Sequence, residues 1–150
     1  MAHTFTQLLT HVIFSTRNRI PQIDQEVRQR LFSYMCGIVS EVKGETMIVG
    51  GTADHVHLLV RMPPAVSVAE VLRLVKTNSS RWVHETWTAR RNFGWQAGYG
   101  AFSVSQSNIT TVMEYIANQE EHHRRMSFQE ELIACLKKQG IEFDERYIFE

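Results

Sequence analysis

Two short apolar segments only five residues apart constrain this chain most. Thr46 to Val49 reads as a strand, and Gly50-Gly51 and Asp54 mark a turn. His55 to Val60 reads as a second strand that ends near Met62-Pro63-Pro64. Strands so close together predict an antiparallel hairpin with a longer turn. A helical pattern lies on either side. Upstream, Val27, Leu31, Met35, Ile38 and Val42 recur at steps of three and four, with Asp24 as N-cap and Gly44 near the end. Downstream, Ser67-Val68-Ala69-Glu70 fits a capping box, opening a helix that carries Val71, Leu72, Val75, Trp82 and Val83.

The outer segments complete the order. The run from Phe5 to Thr16 is rich in strand formers, and Tyr99 to Ser105 alternates like a strand. A helix is predicted from Asn108 to His123. Ser127-Phe128-Gln129-Glu130 is a second capping box, whose helix runs through Leu132, Ile133 and Leu136 towards Gly140. The tail from Ile141 to Glu150 has no clear period. This βαββαβ order predicts an α+β fold: a ferredoxin-like or RNA-recognition-like antiparallel sheet with helices on one face, plus C-terminal helices. Repeats and linkers are absent, so residues 1–150 are predicted to form a single domain.

Formal net charge is zero, so any nucleic-acid binding must use a local basic patch. Cys36 and Cys135 have no metal-ligand spacing and make no disulfide framework; buried, reduced thiols are predicted. The start Met-Ala-His-Thr-Phe-Thr lacks the features of a secretory signal, and no apolar run is long enough to span a bilayer. A cytoplasmic protein without membrane partners is expected. Nor is there a Gly-rich phosphate loop, so no nucleotide cofactor is expected.

The chemistry-bearing residues sit inside this frame. In Asp54-His55-Val56-His57-Leu58, strand alternation sends His55 and His57 to one face and Val56, Leu58 and Val60 to the other. Two adjacent imidazoles can bind one metal ion. The plainer alternative is a pair of strand histidines bonded to backbone or water. Yet two polar rings in an apolar strand are expensive without a shared purpose. Tyr115 and Gln119, four apart in a helical pattern, place a phenol and an amide on one face. Val112 and Ile116 supply a core face that Tyr115 partly shares. The Gln119 carbonyl oxygen is a hard neutral donor suited to Mg²⁺ or Mn²⁺.

Together these stretches resemble a known family. His55-Val56-His57 resembles the HUH motif, histidine–hydrophobic–histidine, and Tyr115-Ile116-Ala117-Asn118-Gln119 resembles the Tyr-x-x-x-Gln helix of the single-tyrosine HUH transposases of small bacterial and archaeal insertion sequences (IS200-like). Thr16-Arg17-Asn18-Arg19, the block from Trp95 to Val104, and Glu121-His122-His123 with Ser127-Phe128 agree in order along the chain. The resemblance implies that His55, His57 and Gln119 hold a divalent cation, Mg²⁺ or Mn²⁺, and that Tyr115 is the nucleophile. It implies attack on single-stranded DNA with hairpin ends, through a 5′-phosphotyrosine. It also implies a homodimer whose sheets merge and whose tyrosine helix can complete the partner's site in trans. A free tyrosine has a pKa of about 10, so only roughly a thousandth is ionised at pH 7; it needs a base or a polarised electrophile.

Arg17 and Arg19, just past the first strand, and Arg90 and Arg91, interleaved with Trp82, Trp87 and Trp95, are the candidate DNA contacts. A solvated loop around core tryptophans is the alternative, preferred for Trp82. His11 reads as a bonded strand histidine, with support of the metal site as the alternative. His122 and His123 read as surface histidines, with assistance to the site or to DNA binding as the alternative. Two other functions fit part of the pattern. A non-catalytic nucleic-acid-binding module would carry stacking aromatics on an exposed sheet face that here carries His55 and His57. A metallohydrolase using water as nucleophile would tolerate Tyr115→Phe.

Overall fold

The computed structural model describes residues 2–149; Met1 and Glu150, the ends of the predicted domain and of its tail, lie outside the described residues. The elements in chain order are β1 (Leu9–Ser15), α1 (Gln25–Glu41), β2 (Glu45–Gly51), β3 (His55–Arg61), α2 (Val68–Thr86), β4 (Gly100–Ser103), α3 (Ile109–Ala117), α4 (Gln119–His122) and α5 (Phe128–Lys138). The strands form one antiparallel sheet in the order β2-β3-β1-β4. This is the predicted α+β arrangement, with β3 inserted between β2 and β1.

The predicted helix starts hold. Asp24 accepts hydrogen bonds from the Glu26 and Val27 amides, Ser67 from Glu70 and Ser127 from Glu130. Each satisfies an amide that has no partner within its helix. Gly140, with φ +68°, follows α5 in the left-handed conformation that favours glycine.

Both faces of the sheet are covered. Val12, Phe14, Val56, Leu58 and Val60 pack under α1 and α2 with Val27, Leu31, Met35, Val71 and Val75. The opposite face carries His11, Ile13, His55, His57 and Leu59, in the register His57 opposite Ile13 and His55 opposite Ser15. There α3 packs Ile116 on Leu9 and Leu59, while α5 packs Phe128 and Leu132 on Ile13 and Phe102. The expectation of an exposed histidine face is therefore corrected: His55 and His57 are fully buried. The capping box and apolar stripe of α5 predict its existence, not where it docks.

Three boundaries also differ. β1 starts at Leu9 rather than Phe5, because its partner β3 ends at Arg61 opposite Leu9; Phe5 stays exposed. β4 is shorter than Tyr99 to Ser105. The helix predicted from Asn108 to His123 breaks at Asn118 (φ −101°, ψ 27°) into α3 and α4. The two cysteines are free and only half-buried. Among the described residues no helix is long and apolar enough to cross a membrane.

Candidate metal centre

The site lies where β3, α3, α4 and α5 meet beneath the second layer of helices. His55 and His57 enter from β3, side by side as the strand period requires. Opposite them, α3 comes close to the sheet because Gly50 on β2, paired with His57, has no side chain. A Cβ at Gly50 would meet the Ile116 carbonyl and lie 2.9 Å from its Cγ2. The last turn of α3 thereby delivers Tyr115, and α4, just past the break, delivers Gln119.

Despite the break at Asn118, Tyr115 and Gln119 remain together. The Gln119 side-chain amide donates to the Tyr115 carbonyl at 3.2 Å. Its oxygen then lies 3.2 Å from His55 Nε2. The three predicted ligands and the predicted nucleophile thus share one site within a single chain.

Five further residues build the site. Glu131 from α5 is buried, with Oε1 at 2.9 Å from His57 Nε2, 3.4 Å from His55 Nε2 and 3.0 Å from His123 Nε2. Its Oε2 accepts from the Tyr115 hydroxyl. His123 therefore belongs to the cluster, which corrects its reading as a surface residue. His55 Nδ1 donates to Asp54 at 2.7 Å, and the Thr52 hydroxyl donates to the same oxygen at 3.1 Å. His57 Nδ1 lies 2.8 Å from His11 Nε2, so His11 is the bonded strand histidine predicted. With the proton on His57 Nδ1, its Nε2 turns a lone pair into the cluster. Such partners fix ring orientation and tautomer in metal-binding histidines.

Burial and charge oppose each other here. Burial disfavours charge on His55, but hydrogen bonds to Asp54 and Glu131 prevail and raise its pKa to about 9. Burial pushes His11 down to about 4 and also lowers His57. Burial would raise Glu131, but hydrogen bonds from His123, His55 and His57 hold it well below the usual carboxylate range. Burial, then the Glu131 hydrogen bond and charge, push Tyr115 well above an ordinary phenol. A cavity of about 370 Å³ opens beside it, lined by His11, Phe102, Tyr115, His122, Glu131 and Cys135.

The donors fit a divalent cation. One ligand atom each from His55, His57, His123 and Glu131 lie within 4.8 Å of one another. Metal–donor bonds of about 2.1 Å put neighbouring donors about 3.0 Å apart in an octahedron and about 3.4 Å apart in a tetrahedron. The three imidazole separations from Glu131 Oε1, 2.9 to 3.4 Å, are close to that range. Imidazole and carboxylate together suit Mn²⁺ or Zn²⁺ better than Mg²⁺, which prefers all-oxygen shells.

The candidate DNA contacts lie elsewhere, and none of the four is hydrogen-bonded or ion-paired within the histidine cluster. Arg17 is exposed, its amide bonded to the Gly94 carbonyl. Arg19 donates to the Phe149 carbonyl at 3.2 Å and lies over its ring. Arg90 pairs with Asp24 at 2.6 Å, and Arg91 is exposed. Trp82 is half-buried and stacks on Tyr34 at 4.6 Å, as the packing alternative predicts.

Fold and site together define a ferredoxin-like α+β protein with a buried histidine–carboxylate centre beside a tyrosine. Residues 4–119 match the family model described as "Transposase IS200 like". The chain belongs to this family of DNA-processing transposases. It is 25% identical over 129 residues to the transposase for insertion sequence element IS200 of Salmonella typhimurium, covering 83% of this chain and 84% of that one. The Salmonella typhi protein matches equally. A candidate transposase from Deinococcus radiodurans shares the fold, with TM-score 0.65 and 22% identity over 79% of this chain and 95% of that one. So does a REP-associated tyrosine transposase bound to a REP hairpin, with TM-score 0.56 and 14% identity over 77% and 68%.

Proposed function

We propose that this transposase cleaves and rejoins single-stranded DNA by transesterification, with Tyr115 as nucleophile and His55, His57 and Gln119 as ligands of Mg²⁺ or Mn²⁺. The observation that carries this reading is that the Gln119 oxygen meets His55, the Tyr115 ring stands 5.7 Å from that of His57, and the Tyr115 hydroxyl donates to Glu131, which also faces both imidazoles. When bound, the cation supplies Lewis-acid stabilisation of charge developing on the phosphate.

The chain's own residues do the rest. The Tyr115 oxygen attacks phosphorus, forming a tyrosyl–phosphate ester to the 5′ side as the bond to the 3′ oxygen breaks. The phenolic proton leaves Tyr115, and the departing 3′ oxygen ends as a hydroxyl. One ester replaces another, so a 3′-hydroxyl can reverse the attack and no nucleotide cofactor is needed. Asp54 and His11 orient the two imidazoles.

The substrate in this reading is single-stranded DNA with hairpin ends, in keeping with the hairpin held by the REP-associated neighbour. Arg17, Arg19 and Arg91 are the contacts we assign to its backbone. Arg90 is a weaker choice, since Asp24 already engages it. Residues 1–150 act as one cytoplasmic catalytic domain and as a homodimer.

Covalent trapping tests the reading. The protein is mixed with labelled single-stranded DNA carrying its element's end hairpins and Mg²⁺ or Mn²⁺. A denaturation-resistant adduct is expected, lost with chelator and with Tyr115→Phe. Cleavage that survives Tyr115→Phe without an adduct would replace this reading with a metallohydrolase. Hairpin binding without cleavage would replace it with a binding module.

A further inference from the structure

Granted the metal centre proposed above, we infer that Glu131 is its anionic ligand and at the same time the residue that positions Tyr115. One carboxylate oxygen, Oε1, faces the imidazoles; the other, Oε2, holds the nucleophile's hydroxyl.

The first argument is charge. Glu131 is 1% exposed, and a buried carboxylate needs a compensating charge. Among the described residues its ion-pair partners are His55, His57, His122 and His123. No lysine or arginine is among them. Imidazoles that bind a metal must be neutral, so once they serve as ligands the cation itself is the positive charge that balances Glu131.

The second argument is geometry. Glu131 Oε1 lies 2.9 Å from His57 Nε2 and 3.4 Å from His55 Nε2. These are the separations expected of neighbouring donors around one ion. Both rings turn Nε2 to this oxygen because Asp54 and His11 occupy their Nδ1 atoms. Ligands, carboxylate and orienting partners therefore agree on one centre.

The third argument is placement. Glu131 shares the buried face of α5 with Phe128 and Leu132. Phe128 packs its ring 5.1 Å from that of His55. A glutamate held between two core anchors cannot swing to solvent without undocking the helix. This helix lies beyond residue 119, where the family match ends. The carboxylate is not among the histidine–histidine–glutamine set that the resemblance implies. By holding Tyr115 through its second oxygen, it sets the nucleophile at the edge of the ion's shell.

Mn²⁺ binding to the DNA-free protein tests this without reference to activity. Calorimetric titration of the wild type is expected to give one site. Glu131→Gln, nearly the same shape without the charge, is expected to bind at least tenfold more weakly. Glu131→Asp should recover part of that loss. If Glu131→Gln binds within twofold of wild type while His55→Ala loses binding, the metal centre stands and Glu131 is not its ligand. If the wild type binds no Mn²⁺, both the centre and the ligand fall. A measurement on the unaltered protein removes dependence on folding of the variants. In Mn²⁺-soaked crystals the anomalous peak should lie about 2.2 Å from Glu131 Oε1. A peak bonded to His55 and His57 but well outside bonding distance of Glu131 would overturn the inference.

Discussion

Gly50 on β2 lies directly beneath Ile116 on α3, so close that a Cβ at position 50 would press on the Ile116 carbonyl and lie 2.9 Å from its Cγ2. The neighbour on one side is backbone, which cannot rotate away. Gly50→Ala must therefore lift α3 or bend β2. The expected loss is about 1–3 kcal/mol in urea denaturation, the range for overpacking a close-packed contact. Adduct yield should fall further than stability accounts for, because Tyr115 moves with α3 and Gln119 follows two residues after its end. Unchanged stability and yield would mean that α3 is not held this tightly.

Gln119 reaches His55 within the same chain, at 3.2 Å. Within one chain the tyrosine helix thus meets its own histidines, the cis arrangement. Mixing Tyr115→Phe with His55→Ala subunits under conditions that form heterodimers should restore no adduct. Restored adduct would require the tyrosine helix to exchange between subunits, as the family resemblance allows.

Arg90 holds the Asp24 carboxyl below its ordinary pKa by a direct hydrogen bond, aided by the Val27 and Glu26 amides at the start of α1. A depressed acid stabilises the fold above its unfolded-state pKa of about 3.9, and that contribution vanishes as pH falls through the folded value. Asparagine caps helices as well as aspartate does, so Asp24→Asn isolates the charge. Denaturation across pH should show wild type more stable than Asp24→Asn by a constant margin from pH 7 to about 5. The margin should close in acid below about pH 4. A margin independent of pH would refute the ion pair.

Ser79 and Trp95 are both buried, and the indole Nε1 donates to the Ser79 hydroxyl at 2.9 Å. Trp95 also stands edge-on to Phe14 and Phe93, at 4.9 and 5.0 Å. Ser79→Ala strands a donor in the core and should cost about 1–3 kcal/mol. In a double-mutant cycle, the Ser79→Ala change should cost much less in a Trp95→Phe background. Equal costs in both backgrounds would show that the hydrogen bond contributes nothing.

Much of the fold is legible locally. A period of two places His55 and His57 on one face wherever the strand ends up. Asp24, Ser67 and Ser127 announce helix starts because capping involves residues two or three apart. Element order also limits the sheet to a few topologies, and the observed one is among them. Boundaries are less legible: where β1 begins depends on where β3 ends, and that is a property of pairing.

The site divides in the same way. Tyr115 and Gln119 are readable as a spaced pair, and their family motif adds the link to His55 and His57. Glu131 could have drawn notice as an acid on the apolar face of its own helix, between Phe128 and Leu132. Nothing local ties it to His57, 74 residues away. His123 looks like surface until α5 closes over it.

By itself the sequence determined which side chains share a face, where helices start, and the order of strands and helices, because these follow from backbone period and nearest-neighbour hydrogen bonds. Only the tertiary structure decided that the histidine face is buried and that α5 delivers a carboxylate between the imidazoles and Tyr115. Docking of one element on another is set by shape and charge across distant segments, and no period within either segment encodes it.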